Sequence, residues 1–218
     1  MANVKQQLEV PSIPSLGFAP EGYDQRVFAE NNGALNGYFR KLISVLGALF
    51  GPQGGKFLNT PHGAFQDSTD QVAASTTVAT AITFNTTDFS NGVSISNNSR
   101  MVVAMDGIFN IGFVVQVTNT TNAPQDIDIW YRKNGTNITG SNKRFGLAAR
   151  KSLGDPFHTV GAMNFFVSLV KNDYVELVFA VTDVGVIIEH YATSASPTRP
   201  SVPSVFASVN FVSNLPTI

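Results

Sequence analysis

From Gly107 to Val117 the chain alternates strictly, with Phe109, Ile111, Phe113, Val115 and Val117 falling on one side. Successive side chains of a strand point to opposite faces, so this run predicts a β-strand with one fully apolar face. The other face, Ile108, Asn110, Gly112, Val114 and Gln116, is mixed rather than polar. Such a strand belongs in the middle of a sandwich, and its second face can also be covered, by a neighbouring subunit. From about residue 57 onward the same period recurs. It runs through Thr77 to Phe84 toward Ile82 and Phe84, through Met101, Val103 and Met105, and through Ile127, Ile129 and Tyr131. It returns in Met163 to Leu169, Val175 to Val181, Val186 to Ile188 and Val205 to Phe211. Turn signals separate these runs: Asp88 to Gly92, Asp106-Gly107, the polar stretch Asn119 to Pro124, Lys133-Asn134-Gly135 and Lys171-Asn172-Asp173. Asn-Gly is a strong hairpin signal, because both residues accept positive φ. Nine or ten short strands without a βαβ rhythm predict an all-β sandwich or barrel.

Nearer the N-terminus the period changes. Phe28, Asn32, Leu35, Phe39, Leu42, Leu46 and Leu49 are spaced alternately four and three apart, a heptad seam on a helix over 23–50. Asn32 is its one polar break, and a buried Asn in such a seam can fix register and copy number. Gly33, Gly37 and Gly47 each cost about 1 kcal/mol against Ala, so the helix needs support. Two supports are open: copies of the same helix, or the β domain that follows. Tyr23, Val27, Tyr38, Ile43, Val45 and Phe50 add apolar surface off the seam. Gly51-Pro52-Gln53-Gly54-Gly55 ends the helix and marks a domain boundary. Upstream, Pro11, Pro14 and Pro20 forbid a regular helix, yet Leu8, Val10, Ile13, Leu16 and Phe18 are apolar with no local core. This arm is either a disordered tail or a docking arm that orders on a partner. The plan is an arm over 1–22, a helix and Gly-rich linker over 23–55, and a head domain over 56–218.

Composition narrows the function. Charged residues are 13% of the 218, about half the ~25% usual in soluble domains. Much of the surface is therefore expected to be buried in an assembly or solvated by Asn, Ser and Thr. A net charge of −1 with fourteen Lys plus Arg argues against nucleic acid or an anionic membrane as partner. The basic cluster Lys143-Arg144 with Arg150-Lys151 reads as a solvated loop. With no cysteine, a disulfide framework and a thiolate metal site are excluded. No apolar run approaches the ~20 residues that span a bilayer. The N-terminus lacks the apolar core of a signal peptide, so synthesis in a cytoplasm is expected. The Asn-x-Ser/Thr triplets at Asn85, Asn97, Asn119, Asn134 and Asn137 then read as by-products of polar loops.

Candidate chemistry is sparse. His62, His158 and His190 have no ligand spacing, and no Gly-x-Ser-x-Gly elbow, P-loop or His-Glu-x-x-His occurs. No catalytic residue, cofactor or resident metal is expected. Asp126 and Asp128 share a strand face and, with Asp173 or Asp183, could hold Ca²⁺; solvated edge carboxylates are the default. Trp130 and Tyr131 are adjacent, so one faces the core and the other faces out. As candidate ligand-facing aromatics they could stack on a sugar ring or fill a partner's pocket.

Taken in order, these signatures resemble a family. Gly107-Ile-Phe-Asn-Ile-Gly-Phe resembles the Gly-x-Tyr/Phe-x-Phe strand of the tumour-necrosis-factor and complement-type globular heads. Trp130-Tyr-Arg-Lys-Asn-Gly135 resembles their Lys-Asn-Gly hairpin. Met163 to Phe179, with Leu169, Lys171-Asn172-Asp173 and Val175-Glu-Leu, resembles their segment of leucine, small turn, Asp and hydrophobic strand. The resemblance implies a ten-stranded jelly roll that assembles as a tight homotrimer. Without a collagen-like repeat, signal peptide or cysteine, the chain departs from the animal proteins and looks instead like accessory virion proteins of tailed phages. The segments Gly63 to Gln71 and Ala81 to Ile95 are similar to heads on such proteins. The expectation is a non-enzymatic, homotrimeric capsid decoration or cement protein on the virion surface. Residues 1–55 would anchor it to the major capsid protein or a tail protein, and the jelly-roll head would be displayed. The rival is a tail-fibre or receptor-binding head that meets host surface glycan or protein through loops at 119–125, 136–144 and 193–203. A cupin-type enzyme would need clustered metal ligands.

Overall fold

In the computed structural model, which describes residues 11–17, 21–22, 24–50 and 60–216, the apolar alternation becomes two packed sheets. The chain divides into two compact units, Met1–Asn59 and Thr60–Ile218. The second unit contains ten strands of four residues or more. They are β1 (His62–Asp67), β2 (Thr86–Asn91), β3 (Val93–Ser96), β4 (Arg100–Val103) and β5 (Gly107–Asn119), then β6 (Gln125–Lys133), β7 (Lys143–Leu147), β8 (Phe157–Leu169), β9 (Tyr174–Val181) and β10 (Val205–Ser213). One sheet runs β8-β5-β10-β1-β2 and the other β7-β6-β9-β4-β3, each extended by two short pairings. Antiparallel partners nest outward from the middle of the unit: β6 with β7, β5 with β8, β4 with β9, and β1 with β10. Successive nested pairs fall in alternate sheets, which is the winding of a jelly roll.

The inward face of β5 is fully committed to the core. Phe109, Ile111, Phe113, Val115 and Val117 are all at most 3% exposed. They meet Ile127, Ile129 and Tyr131 of β6 and Val175, Leu177 and Phe179 of β9 within one continuous cluster. Tyr131 bolts the sheets together: its hydroxyl donates to Ile111 O at 2.7 Å across the sandwich. Its ring stacks on Phe165 at 5.5 Å and meets Phe113 edge-on at 5.9 Å. Burial pushes its phenol well above the ordinary tyrosine range.

Lys133-Asn134-Gly135 makes the expected hairpin. Asn134 and Gly135 have φ of 47° and 82°, and Lys133 pairs with Thr136 across the two-residue turn. Asp173 secures this end of the fold by accepting hydrogen bonds from Asn134 Nδ2 at 2.6 Å and Val170 N at 2.9 Å. Lys133 Nζ lies 2.8 Å from the same carboxylate. Burial pushes the Asp173 pKa up, but Lys133, Val170 and Asn134 outweigh it and hold the carboxyl below its ordinary value.

Three local expectations are corrected. The strand over Thr77 to Phe84 shrinks to the pairing Thr80–Ala81, although Ile82 and Phe84 are buried. Asp88 to Gly92 is not a turn; most of it belongs to the edge strand β2, which is polar because its side chains bury little. Met105 is exposed, since the chain leaves the strand after Val103.

In the first unit, α1 runs Gln25–Phe50. Asp24 caps it by accepting from Arg26 N at 2.9 Å. No residue of α1 is buried. Residues 11–17 have no regular secondary structure. They are tied to the helix where Gly17 N donates to Asn31 Oδ1 at 3.0 Å and Asn31 Nδ2 donates to Gly17 O at 3.4 Å. Leu8, Val10 and Phe18 of the arm, Tyr23, and the stop at Gly51 to Gly55 lie outside the described residues.

Candidate functional site

The two outer faces of the sandwich differ in a way that follows from their sequences. On β7-β6-β9-β4-β3 the outward residues include charges that answer one another, among Trp130, Tyr174, Val178 and small residues. Arg144 Nε and Nη2 donate to Asp128 at 3.2 and 2.9 Å, and Arg100 Nε donates to Glu176 at 3.2 Å. The Arg100 guanidinium also lies 4.5 Å above the Tyr174 ring. Trp130 is half-buried here, its indole N–H given to Asn137 Oδ1 at 2.8 Å. Of the two candidate ligand-facing aromatics only Trp130 reaches the surface. Tyr131 is corrected to a core residue, because it continues the inward phase of Ile127 and Ile129.

The outer face of β8-β5-β10-β1 carries no Lys, Arg, Asp or Glu. β5 contributes Ile108, Asn110, Gly112, Val114, Gln116 and Thr118. β8 contributes His158, Val160, Ala162, Asn164, Phe166 and Ser168. β10 adds Phe206, Ser208, Asn210 and Val212, and β1 adds His62, Ala64 and Gln66. Register assembles these into rows. Ala162, Val114, Phe206 and Gln66 form one row, and Asn164, Gly112, Ser208, Ala64 and Phe89 the next. A third row is Phe166, Asn110, Asn210 and His62. Small residues in the second row leave a shallow depression of about 390 Å³, lined by Gly112, Val114, Ala162, Asn164, Phe206 and Ser208. A Cβ at Gly112 would meet the Asn164 amide oxygen, so a larger residue there would have to push the Asn164 side chain aside. Around it large apolar groups stand in solvent: Phe166 is 61% exposed, Phe89 60%, Val114 38% and Phe206 38%.

Charge returns only at the rim. At one end Thr118 Oγ1, His158 Nδ1, Glu189 and the Tyr191 hydroxyl form a polar knot. Its contacts include Thr118 to His158 at 2.9 Å and Tyr191 to His158 at 2.6 Å, and Thr118 donates to Glu189. Burial, reinforced by Glu189, pushes the Tyr191 phenol up to about 12. At the other rim, Gln66 Nε2 donates to Asp88.

The other candidates are scattered. His62 donates to Thr60 O at 2.8 Å and His190 to Val202 O at 2.9 Å, far in role from the His158 knot. Among the described residues, no group of three His, Cys, Asp or Glu is gathered to hold a metal ion. Asp128 is committed to Arg144, Asp173 to Lys133, and Asp183 accepts from Gly185 N at 2.8 Å. The Ca²⁺ set is thus not brought together. On α1, Phe28, Asn32, Phe39 and Leu46 are exposed and Leu35, Leu42 and Leu49 half-buried; in the arm, Ile13 and Leu16 are exposed. Among the described residues no helix is long and apolar enough to cross a membrane. No protein-family model matches the chain, and no characterised protein matches it in sequence.

Proposed function

We propose that this is a non-enzymatic structural protein of a phage virion, a homotrimeric capsid decoration or cement protein. On this reading its jelly-roll heads associate through the outer face of β8-β5-β10-β1, and the N-terminal region attaches the trimer to the capsid. The observation that carries the reading is the missing charge on that face. An outer sheet face that meets water is ordinarily polar, and the opposite face of this sandwich follows that rule with its Arg–Asp and Arg–Glu pairs. A contiguous exposed apolar patch is characteristic of an interaction site. Charged groups are depleted at the core of such sites. The trimer is supported by the resemblance of Gly107 to Phe113, Trp130 to Gly135 and Met163 to Phe179 to trimeric globular heads. The virion assignment is supported by the likeness of Gly63 to Gln71 and Ala81 to Ile95 to heads of tailed-phage accessory proteins, and by the apolar arm and helix that precede them.

The test has two readings. Light scattering on the full chain should give about 70 kDa, three copies, rather than the 23.4 kDa monomer. Particles that lack the protein should take it up to a saturating copy number, and a chain truncated to Thr60–Ile218 should not bind them. A monomeric full chain, or equal uptake of the truncated chain, refutes the reading.

A further inference from the structure

We infer that helix α1 packs against two further copies of itself, parallel and in register, as the stem of the trimer. The number of copies rests on the proposed homotrimer; the orientation and register do not. The seam places Asn32, Phe39 and Leu46 in one core row, heptad position a, and Phe28, Leu35, Leu42 and Leu49 in the other, position d. This spacing belongs to helix-on-helix packing with a left-handed supercoil.

The flanking rows choose the partner. Position g holds Asn31, Tyr38 and Val45, and position e holds Ala29, Asn36, Ile43 and Phe50. In a parallel in-register coil each g residue meets the e residue five positions further along the neighbouring helix. The resulting pairs are Asn31 with Asn36, Tyr38 with Ile43, and Val45 with Phe50: polar on polar, then apolar on apolar twice. The chain is thus complementary to itself in one arrangement. An antiparallel pair, in which a residues layer with d residues of the neighbour, would instead bury Asn32 against Leu42 or Leu49. The apolar e and g residues in the second half widen the stripe beyond a two-stranded seam, so more than two helices are needed to cover it. Ile43 and Phe50 are exposed in the single chain. The charges of α1 keep clear of all four rows: Arg26, Glu30, Arg40 and Lys41 lie on the outer face. At the polar end, Asn31 already holds Gly17 of the arm.

The chain has no cysteine, so single-cysteine variants of the full-length protein report on the stem directly. Asn32→Cys and Leu46→Cys are core positions at opposite ends, and Ser44→Cys is an outer-face control. Under mild oxidation Asn32→Cys and Leu46→Cys should each form same-residue disulfides, because only a parallel in-register coil brings both pairs within disulfide reach. The yield should level off near about two thirds of the chains, since the third thiol of a trimer has no mate. Ser44→Cys should stay reduced. Three results overturn the inference: Ser44 cross-linking as readily as Leu46, cross-links only between mixed Asn32→Cys and Leu49→Cys chains, or no cross-link at either core position in protein of trimeric mass. That last result removes the stem and leaves the head trimer standing. Cross-links that persist in chains whose heads have been driven apart show that the stem assembles without help from the head contact.

Discussion

Val114→Asp tests the head interface at its centre. Val114 sits between Ala162 and Phe206 in the most apolar row of the face and is 38% exposed in the single chain. Covering that remainder, roughly 60 Å², is worth about 1.5 kcal/mol at 25 cal/mol per Å². An aspartate there is solvated in the monomer, but in the assembly it is a carboxylate facing a surface with no cation to answer it. Its burial without a partner costs about 3 kcal/mol or more. The sum is about 4.5 kcal/mol per subunit, a little over three decades in the dissociation constant. Asp is chosen over Lys because it is too short to reach the rim. The same change at Ser94, exposed on the outer face of β3, is the control for strand propensity, a term of at most about 1 kcal/mol. Sedimentation should show Val114→Asp dissociating at concentrations where Ser94→Asp and the parent remain trimers, with thermal unfolding of the two variants within a few degrees. If Val114→Asp holds the parent's mass down to the same dilution, the charge-free face is not the contact and the argument from charge depletion fails.

Two further substitutions probe the fold beneath the interface. Tyr131→Phe removes the hydrogen bond to Ile111 O while keeping the stacked ring. It should lower stability by about 1 to 2 kcal/mol without changing the mass, and equal denaturant midpoints for variant and parent would contradict the bolt. Asp173 has a folded pKa below its ordinary value, so its contribution is complete above the unfolded carboxylate value near about 4. It is lost as pH falls through the lower folded value. Asp173→Asn should therefore cost about 2 kcal/mol at neutral pH and lose less than the parent on acidification below about pH 4. An acid limb unchanged by the substitution would show that the carboxylate is not under this control.

How much of this was legible depended on whether burial or pairing carried the element. The phase of Phe109 to Val117 was readable because each of those side chains enters the core. Lys133-Asn134-Gly135 was readable because its turn needs positive φ at both central residues. Tyr131 could have been assigned inward from the phase of Ile127 and Ile129 alone. The edge strand β2 could not have been read in the same way. Its side chains are mostly exposed, and it exists through backbone pairing to β1, which leaves no trace in the pattern. The proposed interface was half visible. The mixed second face of β5 was plain in the sequence, but only the register with β8 and β10 places Val114 between Ala162 and Phe206 and puts Gly112 beside Asn164. Charge depletion is a property of a face, and a face does not exist until strands distant in sequence are aligned.

The proposed stem and head contact would reinforce each other through connectivity alone. The stem covers about three heptads and includes Gly33, Gly37 and Gly47, each costing about 1 kcal/mol, so in isolation it is marginal. All three glycines lie off the seam and its flanking rows, which leaves the packing surface whole while keeping the helix weak without its mates. The head contact is a mixture of aromatic, amide and small residues around a depression, less apolar than a core. Joined in one chain, either contact converts the other into an intramolecular event at an effective concentration on the order of millimolar. Against a 1 M standard state that leaves the second contact only about 4 kcal/mol to supply. Neither surface then has to be strong, and the same economy explains the sparse charges. Charges placed along the seam rows or the head face would forfeit one contact and, with it, most of the strength of the other.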